Sequence, residues 1–207
     1  MAVTIGELVI ADAPSAWEAL GLRMDEGRCR IGAVRLRFAG SGSGRGITGW
    51  ALRGYGGAPL DGLPEAHADA PEPDGPAPEH PLGVTRVDHV VAMSPDLDRT
   101  VAALEAAGLD LRRVREEPTP AGSPRQAFFR LGEAILEVIQ QPEHTIADRD
   151  APARLWGLAL IARDLDAAAA LLGERAKPVR DAVQAGRRIM PLAREAGLSA
   201  PVALMSE

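Results

Sequence analysis

Arg86-Val-Asp-His-Val-Val-Ala-Met-Ser-Pro-Asp-Leu-Asp98 lies without a gap on Arg154-Leu-Trp-Gly-Leu-Ala-Leu-Ile-Ala-Arg-Asp-Leu-Asp166. The identities are the arginine and the Asp-Leu-Asp, yet the apolar pattern agrees throughout and continues beyond the match. Leu97, Val101 and Leu104 fall at i, i+4 and i+7, and so do Leu165, Ala169 and Leu172, the spacing of one helix face. A strand leading into an amphipathic helix of about three turns is therefore written twice. Ser94-Pro95 supplies an N-cap with proline at the first helical position, and Gly108 supplies the stop.

Outward from the repeat, β-prone runs follow each helix. In the first copy they are Asp110 to Arg115, Arg125 to Leu131, where Ala127, Phe129 and Leu131 alternate with polar or aromatic neighbours, and Ala134 to Gln140, ended by Pro142. In the second copy Arg188 to Leu192 and Pro201 to Ser206 stand at corresponding places. The organisation expected is two tandem β-α-β-β-β units, 84–142 and 153–207, making one domain over 84–207.

Before it, residues 58–83 carry seven prolines and few large apolar residues. Such a composition favours extended conformations over core packing and reads as a linker, with His67 and His80 expected in solvent. Residues 1–57 read as a third, diverged βαβββ-like half-module. Val3 to Ala11 is a strand, Pro14 to Leu20 a short helix ended by Gly21, and Cys29 to Ala39 and Ile47 to Arg53 are further strands. Such a half-module needs a partner surface.

Composition bounds the function. The chain has 207 residues, 46% of them hydrophobic, enough for a sizeable core. Its formal net charge is −6 with scattered Lys and Arg, which gives no footprint for nucleic acid. The single Cys29 excludes an internal disulfide framework and fits a reducing compartment. No basic-plus-apolar leader and no 18-residue apolar run is present, so the expectation is a cytoplasmic protein with no membrane span.

Over residues 84–206 the tandem βαβββ pattern resembles the vicinal oxygen chelate superfamily, which includes glyoxalases, bleomycin-resistance proteins and extradiol dioxygenases. The resemblance implies an α+β fold in which the two modules form a half-open, barrel-like sheet around a divalent metal. Its ligands, mostly His and Glu, come from the first and last strands of each module. His89 in Val-Asp-His-Val-Val and Glu137 in Ile-Leu-Glu-Val-Ile are the matching residues of the first module. Strand alternation agrees, placing His89 with Val87, Val91 and Met93, and Glu137 with Ile135 and Ile139. Each is a lone polar residue on an apolar face, where an unpartnered carboxylate is costly. A metal, a His–Glu hydrogen bond or a bound ligand could each satisfy them.

The second module departs from that pattern, with Gly157 at the place of His89 and a residue near Leu204 at the place of Glu137. Two protein ligands are few for a catalytic site, which favours a metal-free pocket over a Zn, Mn, Fe or Ni centre. Glu137 is the candidate general base if the pocket is catalytic. Phe128 and Trp156 are candidate apolar ligand contacts, or plain core, and Arg187 and Arg188 are candidate anion anchors, or a solvated strand edge. Gly40-Ser-Gly-Ser-Gly-Arg-Gly46 lacks phosphate-loop spacing and reads as a flexible hairpin loop. Glu7 stands where His89 does and is a candidate partner for Arg35 or Arg37. The functional reading is a glyoxalase-like binder of a small, partly apolar molecule. The alternative is a metal-dependent lyase, isomerase or dioxygenase acting on adjacent oxygens. A homodimer is expected.

Overall fold

A computed structural model describes residues 2–64, 75–116 and 125–207. The N-terminal segment forms β1 (Thr4–Ile10), α1 (Pro14–Glu18), β2 (Arg28–Ile31), β3 (Val34–Phe38) and β4 (Ile47–Arg53). The stretch expected as one strand over 29–39 is thus a hairpin. Gly32 sits at φ 59°, a left-handed conformation glycine adopts without steric cost, and reverses the chain there. The small sheet has the order β2-β3-β1-β4, with β1 parallel to β3 and antiparallel to β4. The glycine-rich loop after β3 therefore crosses over β1 and is not a hairpin loop. It contains a 3-10 turn over Ser41–Ser43, and the amide of Gly46 donates to Ser199 Oγ at 2.8 Å.

The repeat folds as β5 (Val84–Ser94), α2 (Leu97–Ala106), β6 (Asp110–Arg115), β7 (Gln126–Leu131) and β8 (Ala134–Gln140). It then recurs as β9 (Arg154–Ala162), α3 (Leu165–Leu172), β10 (Arg180–Asp181), β11 (Arg188–Pro191) and β12 (Val202–Met205). Both helices are capped by the matched aspartates. Asp96 accepts the amide of Arg99, and Asp164 accepts those of Asp166 and Ala167. Ser94 is not the cap: it ends β5, and its hydroxyl bonds Thr100 Oγ1 at 2.6 Å.

The eight strands make one sheet, β10-β11-β12-β9-β5-β8-β7-β6. Each module runs first strand parallel to last, and the two first strands pair antiparallel at the centre. His89 pairs with Ala159 and Val91 with Gly157. Shifting β5 onto β9 as the repeat does exchanges those two pairs, so a local two-fold axis relates the modules and Gly157 is the counterpart of His89.

Leu8, Ile10, Leu36 and Trp50 of the small sheet share one core with Val87, Val90, Leu136 and Leu160 of the large sheet and with Leu104 and Leu172 of the helices. The half-module therefore finds its partner surface within its own chain. Parts of the proline-rich stretch pack as well. Leu60, Leu63 and Leu82 are buried, and Asp61 pairs with Arg99 of α2 at 2.8 Å. His80 is buried rather than solvated, its Nδ1 accepting the amide of Arg23 and its Nε2 facing the carbonyl of Arg30 at 2.8 Å. His67 lies outside the described residues. No described helix is long and apolar enough to cross a membrane.

Candidate functional site

On the face opposite that core, the large sheet encloses a cavity of 380 Å³. It is lined from both sheet ends, by Arg113 and Arg115 of β6 and by Arg180 and Asp181 of β10. Eight flat strands at ~4.8 Å spacing would hold those ends roughly 34 Å apart, so the sheet curls.

Pairing register sets the cavity floor. One row across the sheet reads Arg113, Phe128, Glu137, Val91 and Gly157. The adjacent row reads Pro191, Ala203, Ala159, His89 and Ile135. His89 and Glu137 thus meet at the centre, with Nε2 and Oε2 3.6 Å apart. That separation is too long for a hydrogen bond. The direct His–Glu hydrogen bond, one of three ways to satisfy the pair, is therefore not formed.

Each group is held from the other side. Glu137 Oε1 accepts from Gln126 Nε2 at 2.7 Å. Burial pushes the Glu137 carboxyl above the usual carboxylate range, against the opposing pull of His89 and Arg115. His89 Nδ1 meets Asp88 Oδ2 at 2.8 Å, and Asp88 Oδ1 accepts from Arg187 Nη2 at 2.8 Å. Burial works to raise the Asp88 carboxyl, but hydrogen bonds from His89 and Arg187 outweigh it and hold the group down to about 2. An ionised Asp88 can only accept, so His89 Nδ1 carries the shared proton and Nε2 is turned toward Glu137.

Asp88 reaches this position through a bulge. Val87 pairs with Leu160 and His89 with Ala159, which leaves Asp88 as an extra residue. Val87 consequently joins the core on the opposite face and does not share His89's face as alternation predicts. Trp156 is the equivalent extra residue of β9, since Gly157 pairs with Val91 and Leu155 with Ala92. It lines the cavity at 39% exposure.

Of the residues singled out in the sequence, His89, Glu137, Phe128 and Trp156 come together in the cavity wall. Arg187 and Arg188 are not among the lining residues. Arg187 is spent on Asp88 and the Ser206 carbonyl, and Arg188 on Asp166 of α3. The counterpart of Glu137 is Ala203 and not Leu204. Leu158 faces Val202, so Gly157 stands beside Pro201 as His89 stands beside Ile135, and two residues on comes Ala203. Leu204 is buried in the core. Sequence reasoning missed Asp88, Arg113, Arg115 and Arg180, because bulges and a two-residue strand leave no periodic signal, and it missed Gln126 although alternation places it on the face of Phe128.

A metal at this place would find His89 and Glu137 as donors, Asp88 already engaged, and no donor at Gly157 or Ala203. Among the described residues no group of three or more His, Cys, Asp or Glu side chains is placed to hold a metal ion. That set is short of the three protein ligands typical of catalytic zinc and does not fit one. Cys29 is also no candidate nucleophile: it is buried in the small sheet, and burial pushes its thiol up to about 12.

No protein-family model matches this sequence. No curated protein matches it either. Among solved structures, methylmalonyl-CoA epimerase from Mycobacterium tuberculosis is similar at 20% identity and a TM-score of 0.48, over 60% of this chain and 89% of that one. A Streptomyces coelicolor methylmalonyl-CoA epimerase in complex with 2-nitronate-propionyl-CoA is 22% identical at TM-score 0.48, over 60% and 98%. A hypothetical protein from Bacillus halodurans C-125 is 12% identical at the same score, over 59% and 94%. Likeness of this degree says nothing of ligand or reaction, and the fold assignment stands on the strand pairing.

Proposed function

We propose that this chain is a glyoxalase-like binding protein that takes a small, partly apolar molecule into the curled sheet without a metal. The observation that carries the reading is the pairing of His89 and Glu137 beside the apolar side chains of Phe128, Val91, Ile139 and Trp156, 3.6 Å apart and not bonded to each other. A ligand oxygen set between them bonds whichever of the two carries the facing proton: a carbonyl accepts from that group, and a hydroxyl also donates to the other, while the ligand's body covers the apolar wall. The cavity volume of 380 Å³ lies within the range of small-molecule sites.

Calorimetric titration with 2-acetonaphthone, an apolar ring system bearing one carbonyl, tests the reading. The wild-type protein is expected to bind it, and Ala203→Phe, which fills the cavity from the side without polar groups, is expected to abolish binding. Equal titration curves for the two proteins would sink the proposal. Elemental analysis is expected to find no stoichiometric metal, and one metal per chain that disappears in His89→Ala would turn the reading to a metalloenzyme.

One observation favours a second reading, proton-transfer catalysis. Glu137 is a desolvated carboxyl beside a His89 oriented by Asp88, and burial that raises its carboxyl makes it a stronger base than an ordinary carboxylate. Deuterium appearing from solvent at the carbon next to the ketone of bound 2-acetonaphthone, and absent with Glu137→Gln, would mark it.

A further inference from the structure

Arg115 of β6 and Arg180 of β10 stand on opposite ends of the sheet and line one cavity. They are related by the local two-fold axis. Phe128 pairs with Glu137 as Pro191 pairs with Ala203, and two residues earlier Gln126 pairs with Arg115 as Ile189 pairs with Arg180. The symmetry that is broken at the floor, where His89 and Glu137 face Gly157 and Ala203, is thus kept at the rim by two arginines. Arg113 adds a third guanidinium, 5.1 Å from the centre of the Phe128 ring.

These arginines differ from their fellows in what holds them. Arg99, Arg125, Arg187 and Arg188 each donate to a carboxylate. Among the described residues, neither Arg115 nor Arg180 donates to one. The acids lining the same cavity are Glu137, already bonded by Gln126, and Asp181. The cavity therefore carries an excess of positive charge inside a chain whose formal net charge is −6.

Resting on the proposed binding role, we infer that the ligand is an organic oxyanion, a carboxylate or phosphate joined to an apolar body, whose anionic group is clamped at the rim between Arg115 and Arg180. Arg113 backs the Phe128 ring against which the body lies. The far end of the ligand then reaches His89 and Glu137. Guanidinium groups suit such an anion because each can offer two parallel N–H donors to two oxygens.

The test titrates the full chain with 2-naphthylacetate, 2-naphthylethanol and 2-naphthylmethylphosphonate, which share a ring system and differ in charge. One anion is expected to bind at least about tenfold more tightly than the alcohol, the size of effect a charge-assisted pair gives. Whichever anion binds tighter identifies the group as carboxylate or phosphate. In Arg115→Gln/Arg180→Gln that preference of anion over alcohol is expected to fall within about twofold. An alcohol that binds wild type as tightly as both anions overturns the inference and leaves the cavity reading standing. An anion preference that survives in the double variant also overturns it. If none of the three compounds, nor 2-acetonaphthone, binds, the cavity reading itself fails.

Discussion

Glu137 shows how much one residue's meaning depends on its neighbours. As a letter in Ile-Leu-Glu-Val-Ile it is a carboxylate on an apolar face, and the structure gives it Gln126 as donor and His89 as an unbonded neighbour. Its raised folded-state titration means that the ionised form costs stability. That stability is fully present below the ordinary carboxylate value and is lost as pH rises through the folded value. Glu137→Gln, which keeps an oxygen for Gln126, is therefore expected to raise Tm at pH 7 by roughly 2–4 °C, about 1 kcal/mol for a chain of this size. The gain should vanish at pH 4 and below. Differential scanning fluorimetry across pH 3–8 checks this, and a lower Tm at pH 7 would show that the carboxylate is stabilising.

At the scale of the element, strand alternation found the site and bulges modified it. The two floor residues were legible because each is polar among apolar residues at alternate positions, His89 beside Val91 and Met93 and Glu137 between Ile135 and Ile139. Asp88 was not, because alternation assigns it to the face opposite His89 until an extra residue turns it inward. The N-terminal hairpin was hidden for a similar reason. Arg28 to Phe38 is β-prone on both sides of the turn, and the signs of a reversal are Gly32 and the slip of the apolar phase from Cys29 and Ile31 to Val34, Leu36 and Phe38. A Cβ at Gly32 would lie 3.1 Å from the Thr85 carbonyl oxygen and 3.2 Å from Arg86 Cβ, where the hairpin abuts β5. Gly32→Ala thus combines a left-handed alanine with contact against backbone, and should cost about 1–2 kcal/mol or more. Urea denaturation measures it, and an unchanged midpoint would mean that the hairpin does not rest on β5.

For the whole molecule, the decisive event is the packing of the small sheet onto the face of the large sheet that carries the helices. Gly132 approaches Thr4, Asp12 accepts the amide of Ser199, and Glu133 accepts that of Ala33. His80 fastens the end of the proline-rich stretch to this assembly by using both ring nitrogens, one of them as an acceptor from a backbone N–H. Burial lowers its titration below the ordinary histidine value, with Arg23 adding to the effect. A depressed value contributes stability that is present above pH 6.5 and is lost as pH falls through the folded value, since protonation turns the acceptor into a donor facing a donor. Unfolding free energy is accordingly expected to decline between pH 6.5 and 5, and to decline less in His80→Gln. Parallel pH profiles for the two proteins would rule this fastening out.

The amino-acid sequence by itself determined the repeat, the helices of both modules, their strands apart from the two-residue β10, and the two polar residues at the cavity floor. Those follow from hydrophobic periodicity, which is local, and from a comparison of the chain with itself. Only the tertiary structure decided that Arg187 and Arg188 are engaged elsewhere, that Arg115 and Arg180 meet at one rim, and that Ala203 stands opposite Glu137. Such relations depend on the pairing register and curl of a sheet whose ends are far apart in sequence, and no local pattern carries that information.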